Sequence, residues 1–329
     1  VNISGRWRRV KSQKSNLILF VAAVILIVMA PLWRLAVAPA LKVVPTDIDL
    51  LRFYNGSLFR YVRPPGQAPV GDQPEKLGVT IQQREFSPLR GSTPTVALIE
   101  VDTAIIDSVS NSHVVDDKNT YAVNRRSAKQ VPDSGSNRNR SGYHLVFPFN
   151  TPREDLPIWD ELTGKTQKGA YSGQRTVNGA KAYLFKVEYG GQPVAPPPGF
   201  PTDMTGAQLK SILSRPGLPL GDSDVIRVAY KGNQSVEYLV EPTAGNLVST
   251  RNVQESVYLS IDDPARGIAL TQVITKLDYS ETQASEVESA TFASDEIKKL
   301  RLQFVYLPVM FLALGIGCLL VSLFALEKQ

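Results

Sequence analysis

Two unbroken apolar runs frame the chain, and the stretch between them alternates apolar and polar positions. Residues 17–33 hold seventeen side chains without a charge. At ~1.5 Å per residue that is the short limit for crossing a ~30 Å hydrocarbon core. The run extends through residues 35–41, because a boundary arginine, here Arg34, can carry its head to the interface. Residues 304–326 give 23 uncharged side chains, enough to span with some tilt. The pattern predicts transmembrane helices over 17–41 and 304–326. A cleavable signal peptide competes for the first, since basic residues precede it and Ala36-Val37-Ala38 resembles a cleavage site. The apolar run exceeds the ~7–15 residues of a signal core, and Pro39 would follow the cut. An uncleaved anchor is expected.

Residues 42–279 read as β. Alternating or β-rich runs cover residues 57–62, 76–86, 95–107, 143–149, 181–189, 224–230, 236–240, 252–259 and 268–279. Asn178-Gly179 is the strongest hairpin signal, and Gly232-Asn233 and Ala244-Gly245-Asn246 are further turns. No βαβ alternation is visible. The expected fold class is mainly β, with antiparallel sheets in a sandwich- or barrel-like arrangement between two terminal transmembrane α-helices. One internal helix is predicted over 203–213, capped by Thr202 or Asp203. Residues 192–201 hold five prolines, a stiff connector at which the β domain can divide into two halves. Ser280-Glu281-Thr282-Gln283 has capping-box spacing, and neither proline nor glycine follows before Pro308. A continuous helix from about residue 280 to 326 is expected, its stalk over 280–303. A kink is confined to Pro308, which lacks the N–H of an interior helix bond.

Composition adds topology more than chemistry. Of 329 residues 43% are hydrophobic and 20% charged, which excludes a disordered or collagen-like chain. The single cysteine, Cys318, excludes an intramolecular disulfide and a multi-cysteine zinc site. Arg6, Arg8, Arg9, Lys11 and Lys14 precede the first span without an acid, and these five account for the net charge of +5. The rest of the chain is balanced, which removes the nucleic-acid reading that a basic pI suggests. By the positive-inside rule residues 1–16 form a cytoplasmic basic tail and residues 327–329 a second cytoplasmic end. The β domain then lies outside the plasma membrane. Lys298, Lys299 and Arg301, flanking the second span on the outside, weigh mildly against that orientation.

Candidate chemistry is sparse. Neither histidine, His113 or His144, stands beside a nucleophile motif such as G-x-S-x-G. Asp116-Asp117, Asp262-Asp263 and Asp222-Ser223-Asp224 lack the alternating acidic loop of a calcium site. Phosphate-binding glycine loops are absent, and Gly315-Ile316-Gly317 lies in an apolar span, where glycine permits close helix approach. No catalytic residue, cofactor or metal site is assigned. Two sets of residues remain. Ala313 and Gly317 stand in small-xxx-small spacing, suited to seating the first span or a partner helix. Arg125, Arg126, Lys129, Arg138 and Arg140 form a basic cluster able to meet anionic lipid headgroups or polymers, with a solvated loop as the plainer alternative.

Residues 43–62 (VVPTDIDLLRFYNGSLFRYV), 121–131 (YAVNRRSAKQV), 142–165 (GYHLVFPFNTPREDLPIWDELTGK), 177–188 (VNGAKAYLFKVE) and 238–248 (YLVEPTAGNLV) carry a resemblance. With the final apolar helix, they resemble the bacterial envelope proteins grouped as the Porin PorA family. The resemblance covers nearly the whole chain. It implies a two-pass envelope protein with an outer domain between terminal helices, and it implies no catalytic residues. The expected function is a non-enzymatic two-pass membrane protein whose outer β domain binds or scaffolds envelope components, as an accessory subunit of a larger membrane complex. The alternatives are a lipid-handling or transport protein with an apolar cavity, and an oligomeric pore. Its expected partners are the lipid bilayer and, through the spanning helices, a membrane protein or a second copy of the chain. Nucleic acid and cofactors are not among them.

Overall fold

Every second side chain of a strand points to the same face, and this alternation sorts most of the chain into the two sides of a sheet. The computed structural model describes residues 3–327 apart from Asp72, Leu89 and Asp133, with side chains described from Asn16 to Ala325. The basic side chains of Arg6, Arg8, Arg9, Lys11 and Lys14 therefore lie outside the described ones, and Lys328 and Gln329 outside the described residues.

The chain begins with α1 (Ile3–Leu32), a π-turn (Trp33–Val37) and α2 (Ala38–Leu41). Seven strands follow: β1 (Asp49–Arg60), β2 (Glu75–Phe86), β3 (Val96–Asp107), β4 (His113–Asn124), β5 (Leu156–Asp160), β6 (Lys165–Val177) and β7 (Ala180–Pro193). An excursion of β8 (Asp203–Thr205), α3 (Gly206–Ile212) and β9 (Val225–Arg227) precedes β10 (Ala229–Val240), β11 (Leu247–Asp263) and β12 (Ile268–Glu281). Next come α4 (Gln283–Arg301), a second π-turn (Leu302–Tyr306) and α5 (Leu307–Glu327). Two compact units result, one of Val1–Val43 with Ser294–Gln329 and one of Val44–Ala293.

In the first unit, Asn16–Leu41 and the helix ending at Ala325 are long and apolar enough to cross a membrane. Each π-turn occupies the turn ahead of a proline. In a regular helix the rings of Pro39 and Pro308 would crowd the carbonyls of Leu35 and Phe304. A wider turn relieves that clash. The kink expected at Pro308 thus takes the form of one wide turn ahead of it. The two helices meet at Gly315, where a Cβ would stand 2.8 Å from the Ile27 side chain and 3.1 Å from the Ala23 carbonyl oxygen. Trp33 Nε1 donates to the Gln303 carbonyl at 2.9 Å and Ser322 to the Asn16 carbonyl at 3.2 Å. Such pairing matters where lipid supplies no hydrogen-bond partner.

The second unit is mainly antiparallel β, as expected. Its ten-stranded sheet, ordered β4-β3-β2-β1-β12-β11-β10-β7-β6-β5, curls into a half-barrel. Gln130, Val131, Gly142 and Tyr143 bridge the two edges of the sheet. Val131 N donates to the Ala122 carbonyl of β4 at 2.8 Å, Gln130 N to Gly142 at 3.0 Å, and Tyr143 N to Pro157 of β5 at 2.9 Å. These bonds use edge groups that would otherwise template another chain. The proline-rich residues 192–201 leave β7, but β7 pairs directly with β10 (Val187 opposite Val236), so the sheet is continuous across them.

Several local expectations resolve differently. Asn178 and Gly179, both at positive φ, make the two-residue turn between β6 and β7. Gly232-Asn233 does not turn; both residues pair inside β10, beside a register shift. Ala244-Gly245-Asn246 does turn, and a Cβ on Gly245 (φ +77°) would fall 2.0 Å from the Phe147 carbonyl oxygen, so only glycine fits. Residues 143–149 are not a strand. They fill the curl and make single bridges, Tyr143 to Ile158 and Val146 to Asn246. The internal helix begins at Gly206 rather than 203 because Asp203–Thr205 pairs as β8; Thr205 and Gln208 form its capping box. Ser280 and Glu281 likewise belong to β12, opposite Asn55 and Tyr54. Thr282 starts α4 instead, its Oγ1 accepting from Ser285 N at 3.3 Å.

Apolar packing follows the faces. Phe147, Phe185, Ile99 and Ile158 fill the inside of the curl. Leu184, Leu239 and Val248 on the outer face are covered by Ala290 and Ala293 of α4. Met204, Leu209 and Ile226 of the β8–α3–β9 excursion cover Leu259, Ile261 and Ile274.

Candidate functional site

The inward face of the curled sheet is not wholly apolar. Alternation places Gln83 and Glu85 of β2, Asp117 and Asn119 of β4, Gln234 and Tyr238 of β10 and Glu255 of β11 around one lumen of about 360 Å³. Five carboxylates, Glu85, Asp117, Asp160, Glu161 and Glu255, stand in its wall with His144 and, among the described residues, without a lysine or arginine. Ile81, Val101, Ile105, Leu247 and Leu277 form an apolar side.

Most of those carboxylates are already bound. Glu85 accepts from Arg52 Nε at 2.8 Å. Arg52 also reaches Glu281 at 3.1 Å, Ser289 Oγ at 2.8 Å and the Leu247 carbonyl at 2.8 Å, so its guanidinium is enclosed by acceptors. Burial alone would lower the Arg52 pKa, but Glu85 and Glu281 outweigh it and hold the charge. Glu161 accepts from Arg140 Nε and from the Tyr121 hydroxyl, each at 2.7 Å. Burial pushes the Glu161 pKa upward, yet His144, Tyr121 and Arg140 bring it below the ordinary value. Asp160 accepts from the Tyr189 hydroxyl at 2.7 Å and Thr163 Oγ1 at 2.5 Å.

Glu255 differs. It faces Gln234 directly across the β10–β11 pair and accepts from its Nε2 at 3.0 Å. No cation partners it among the described residues. It is enclosed by protein and touches solvent space through the lumen. Burial raises its pKa to about 7, against hydrogen bonding from Gln234 and Tyr279. Beside it stand Tyr54 and Tyr279, edge to face with centroids 5.5 Å apart. Burial raises the Tyr279 and Tyr238 hydroxyls well above 10, so both stay neutral. Gln234 Oε1 is buried and has no hydrogen-bond partner among the described residues.

The basic cluster read from residues 125–140 is not one surface. Arg140 is fully buried (side chain 0% exposed) and staples the sheet edges, donating to the Thr120 carbonyl at 3.1 Å and Asn119 Oδ1 at 2.6 Å as well as to Glu161. It also lies over the Tyr121 ring at 4.1 Å. It therefore cannot meet headgroups. Arg138 adds a longer contact to Glu161 at 3.6 Å, and Arg125 Nε donates to the Val44 carbonyl at 2.9 Å. Of the five, only Arg126 and Lys129 are exposed without such a role. Ala313 and Gly317 are likewise exposed and nothing lies within 4 Å of a Gly317 Cβ; the first span seats on Gly315 between them. A helix surface repeats every 3–4 residues, so Gly315 faces away from both.

His144 donates from Nδ1 to the Trp159 carbonyl at 3.2 Å and stacks on Tyr121, centroids 5.2 Å apart. Burial lowers its pKa, against the pull of the Glu161 and Glu85 carboxylates. His113 pairs with Asp116 at 2.7 Å on the exposed surface. No group of three or more metal-binding side chains occurs among the described residues. Arg52, Tyr54 and Tyr238 fall in the segments that carry the family resemblance, whereas Glu255, Gln234 and Tyr279 lie outside them. The one legible signal is an acid on a buried strand face, Glu255 between Val253 and Val257.

No curated protein matches the chain. The family model described as Porin PorA matches residues 16–324, nearly the whole sequence, and the chain belongs to that family.

Proposed function

We propose that this protein is a non-enzymatic, two-pass envelope protein whose β unit binds a small ligand in the lumen of its curled sheet. The observation that carries the reading is the lumen itself: about 360 Å³ inside a sheet whose edges are held together, within the range of ligand-binding cavities. Charged basic residues ahead of the first apolar helix support cytoplasmic termini and a β unit outside the plasma membrane. The non-enzymatic reading is supported by how the two histidines are used, one tied to a backbone carbonyl and one to a surface aspartate.

An acyl chain suits the wall poorly, since five carboxylates line it. A strand-built pore is also disfavoured. Lys231, Asn233, Ser235 and Glu237 alternate along the outward face of β10, where a membrane barrel presents apolar side chains to lipid. Scaffolding of other envelope components follows from the same unit, with the ligand as the recognised group.

Native mass spectrometry of the full chain extracted in mild detergent tests this. We expect a small-molecule adduct on the wild type that is lost in Thr103→Trp, whose ring would occupy the lumen. An adduct of equal occupancy in both proteins, or none in the wild type, would overturn the reading.

A further inference from the structure

We infer that the lumen is a receptor site for a primary ammonium ligand bearing an apolar group, held by Glu255 and Gln234. The inference rests on the ligand-binding reading above and names the ligand's chemistry.

Hydrogen-bond supply and demand inside the lumen lead there. Arg52 and Arg140 neutralise Glu85 and Glu161, and hydroxyl and amide donors bond Asp160 and Asp117. What is left over at the floor is acceptor capacity. Gln234 gives its Nε2 hydrogen to Glu255, which leaves Gln234 Oε1 unpartnered although the residue is 7% exposed. Glu255 lines the same lumen and, with Gln234 and Tyr279 as its donors, has no cation among the described residues. Two acceptors side by side, one of them a carboxylate without a cation, require a donor that also carries positive charge. An ammonium group with three N–H bonds supplies both.

Selectivity follows from the surroundings. Tyr54, Tyr238 and Tyr279 offer ring faces and edges beside the acid, and aromatic rings attract a desolvated cation. Ile81 of β2 and Val101 and Ile105 of β3, three and four strands away from β11, accept an alkyl or aryl substituent, while Leu277 stands directly across from Glu255 on β12. A metal ion fits less well, because no three metal-binding side chains converge among the described residues. An anion is repelled by every ionised group in the wall.

The site also carries its own pH signature. The groups facing Glu255 are Gln234 and Tyr238 from β10, Tyr279 from β12, Tyr189 from β7 and Asp160 from β5. The three tyrosine hydroxyls are pushed up and remain neutral, so Glu255 is the group whose charge changes near neutrality. Ammonium affinity therefore rises with pH through about 7 and levels off above it.

Calorimetric titration of the full chain in detergent micelles decides the matter, using benzylamine and its uncharged isostere benzyl alcohol. At pH 8 we expect benzylamine to bind at least tenfold more tightly than the alcohol. That preference should fall by tenfold or more in Glu255→Gln and disappear on going to pH 5.5, while micelle partitioning stays the same in wild type and variant. Near-UV circular dichroism confirms that the variant is folded. Equal binding of amine and alcohol, or a preference unchanged in Glu255→Gln, would overturn the ammonium assignment. If benzylamine fails while the Thr103→Trp-sensitive adduct is present, the lumen reading survives and this inference alone is lost. If both fail, the lumen reading goes with it.

Discussion

Arg52 and Glu255 both project from strands of the same sheet toward its inward side, yet the structure treats them in opposite ways. Arg52 is closed in by Glu85, Glu281, Ser289 and a backbone carbonyl, all between 2.8 and 3.1 Å. Glu255 has one amide donor at 3.0 Å and a tyrosine, and no opposite charge among the described residues. A buried charge with every partner in place is architecture: it fixes one arrangement of β1, β2, β12 and α4. A buried acid without a cation carries a standing desolvation penalty, which persists where something else can relieve it. The two corners of one fold thus separate a charge that the protein itself neutralises from an acid left open for the proposed ligand.

The largest effect comes from breaking the closed corner. Arg52→Met leaves Glu85 and Glu281 facing each other in a pocket that water barely enters, their side chains 5% and 0% exposed. Removing one partner of a buried ion pair costs about 3–5 kcal/mol. We expect the variant to lose most of its resistance to guanidinium, followed by near-UV circular dichroism of the β unit. A midpoint change equivalent to less than about 1 kcal/mol would show that Arg52 is not structural.

Arg140 is the intermediate case. Its partner Glu161 is 29% exposed, so water can take over part of the carboxylate when the arginine is removed. Arg140→Met should cost about 2–3 kcal/mol, below the cost at Arg52, since the orphaned carboxylate is only partly buried. Because Arg140 staples β4 to the turn after β5, amide exchange should quicken at Thr120 and residues 130–143 before it does at β11 or β12. Uniform quickening across the sheet would contradict the staple.

At Glu255 the sign reverses. Its folded pKa of about 7 lies above the ordinary 4.5, so the folded state holds its proton longer than the unfolded one. Stability is therefore complete below about 4.5 and declines as pH rises through 7. Glu255→Gln removes that decline. We expect the variant to be more stable than wild type by about 2 kcal/mol at pH 8. Each tenfold gain in proton affinity on folding is worth ~1.4 kcal/mol, and burying the replacing amide offsets part of the sum. Below pH 5 the two should match. A variant less stable at pH 8 would mean that the carboxylate is paired after all.

How much of this contrast is legible in the sequence differs element by element. The terminal helices are legible because little besides a membrane span requires so long an uninterrupted apolar run. β2, β3 and β12 are legible because they alternate. β4 and β6 are not: β4 carries Asp116 to Thr120 as five polar residues in a row, since Asp117 and Asn119 face a polar lumen and the other three the outer side. The lumen thus erases the very pattern that reveals strands. Residues 143–149 mislead in the opposite direction, apolar like a strand but buried on most sides as filling. Arg140 reads as surface because its loop is full of serine and asparagine; Ser136 and Asn137 of that loop do accept from it, but the acceptors that bury it, Asn119, Thr120 and Glu161, come from distant parts of the sheet. For Gly315 the choice of face belongs to the partner helix, which local spacing does not encode.

The smallest expected effect tests whether the two corners are independent. Thr282 caps α4, and the first turns of that helix deliver Ser285 and Ser289 to Glu281 and Arg52. Thr282 N also donates to the Phe53 carbonyl at 2.8 Å, and Phe53 N to Ser285 Oγ at 3.2 Å, so the cap joins helix and β1 on both sides. Thr282→Ala keeps the backbone bond and loses the hydroxyl, a change of about 1 kcal/mol for a typical cap. Its partners belong to the Arg52 corner and none is shared with Glu255. Combined with Arg52→Met, the loss should be less than the sum, because the serines it positions have already lost their guanidinium. Combined with Glu255→Gln, the two changes should add within about 0.5 kcal/mol. A double-mutant cycle in guanidinium at pH 8 reads both. Coupling between Thr282 and Glu255 above that margin would show that the ligand corner and the closed corner are one network.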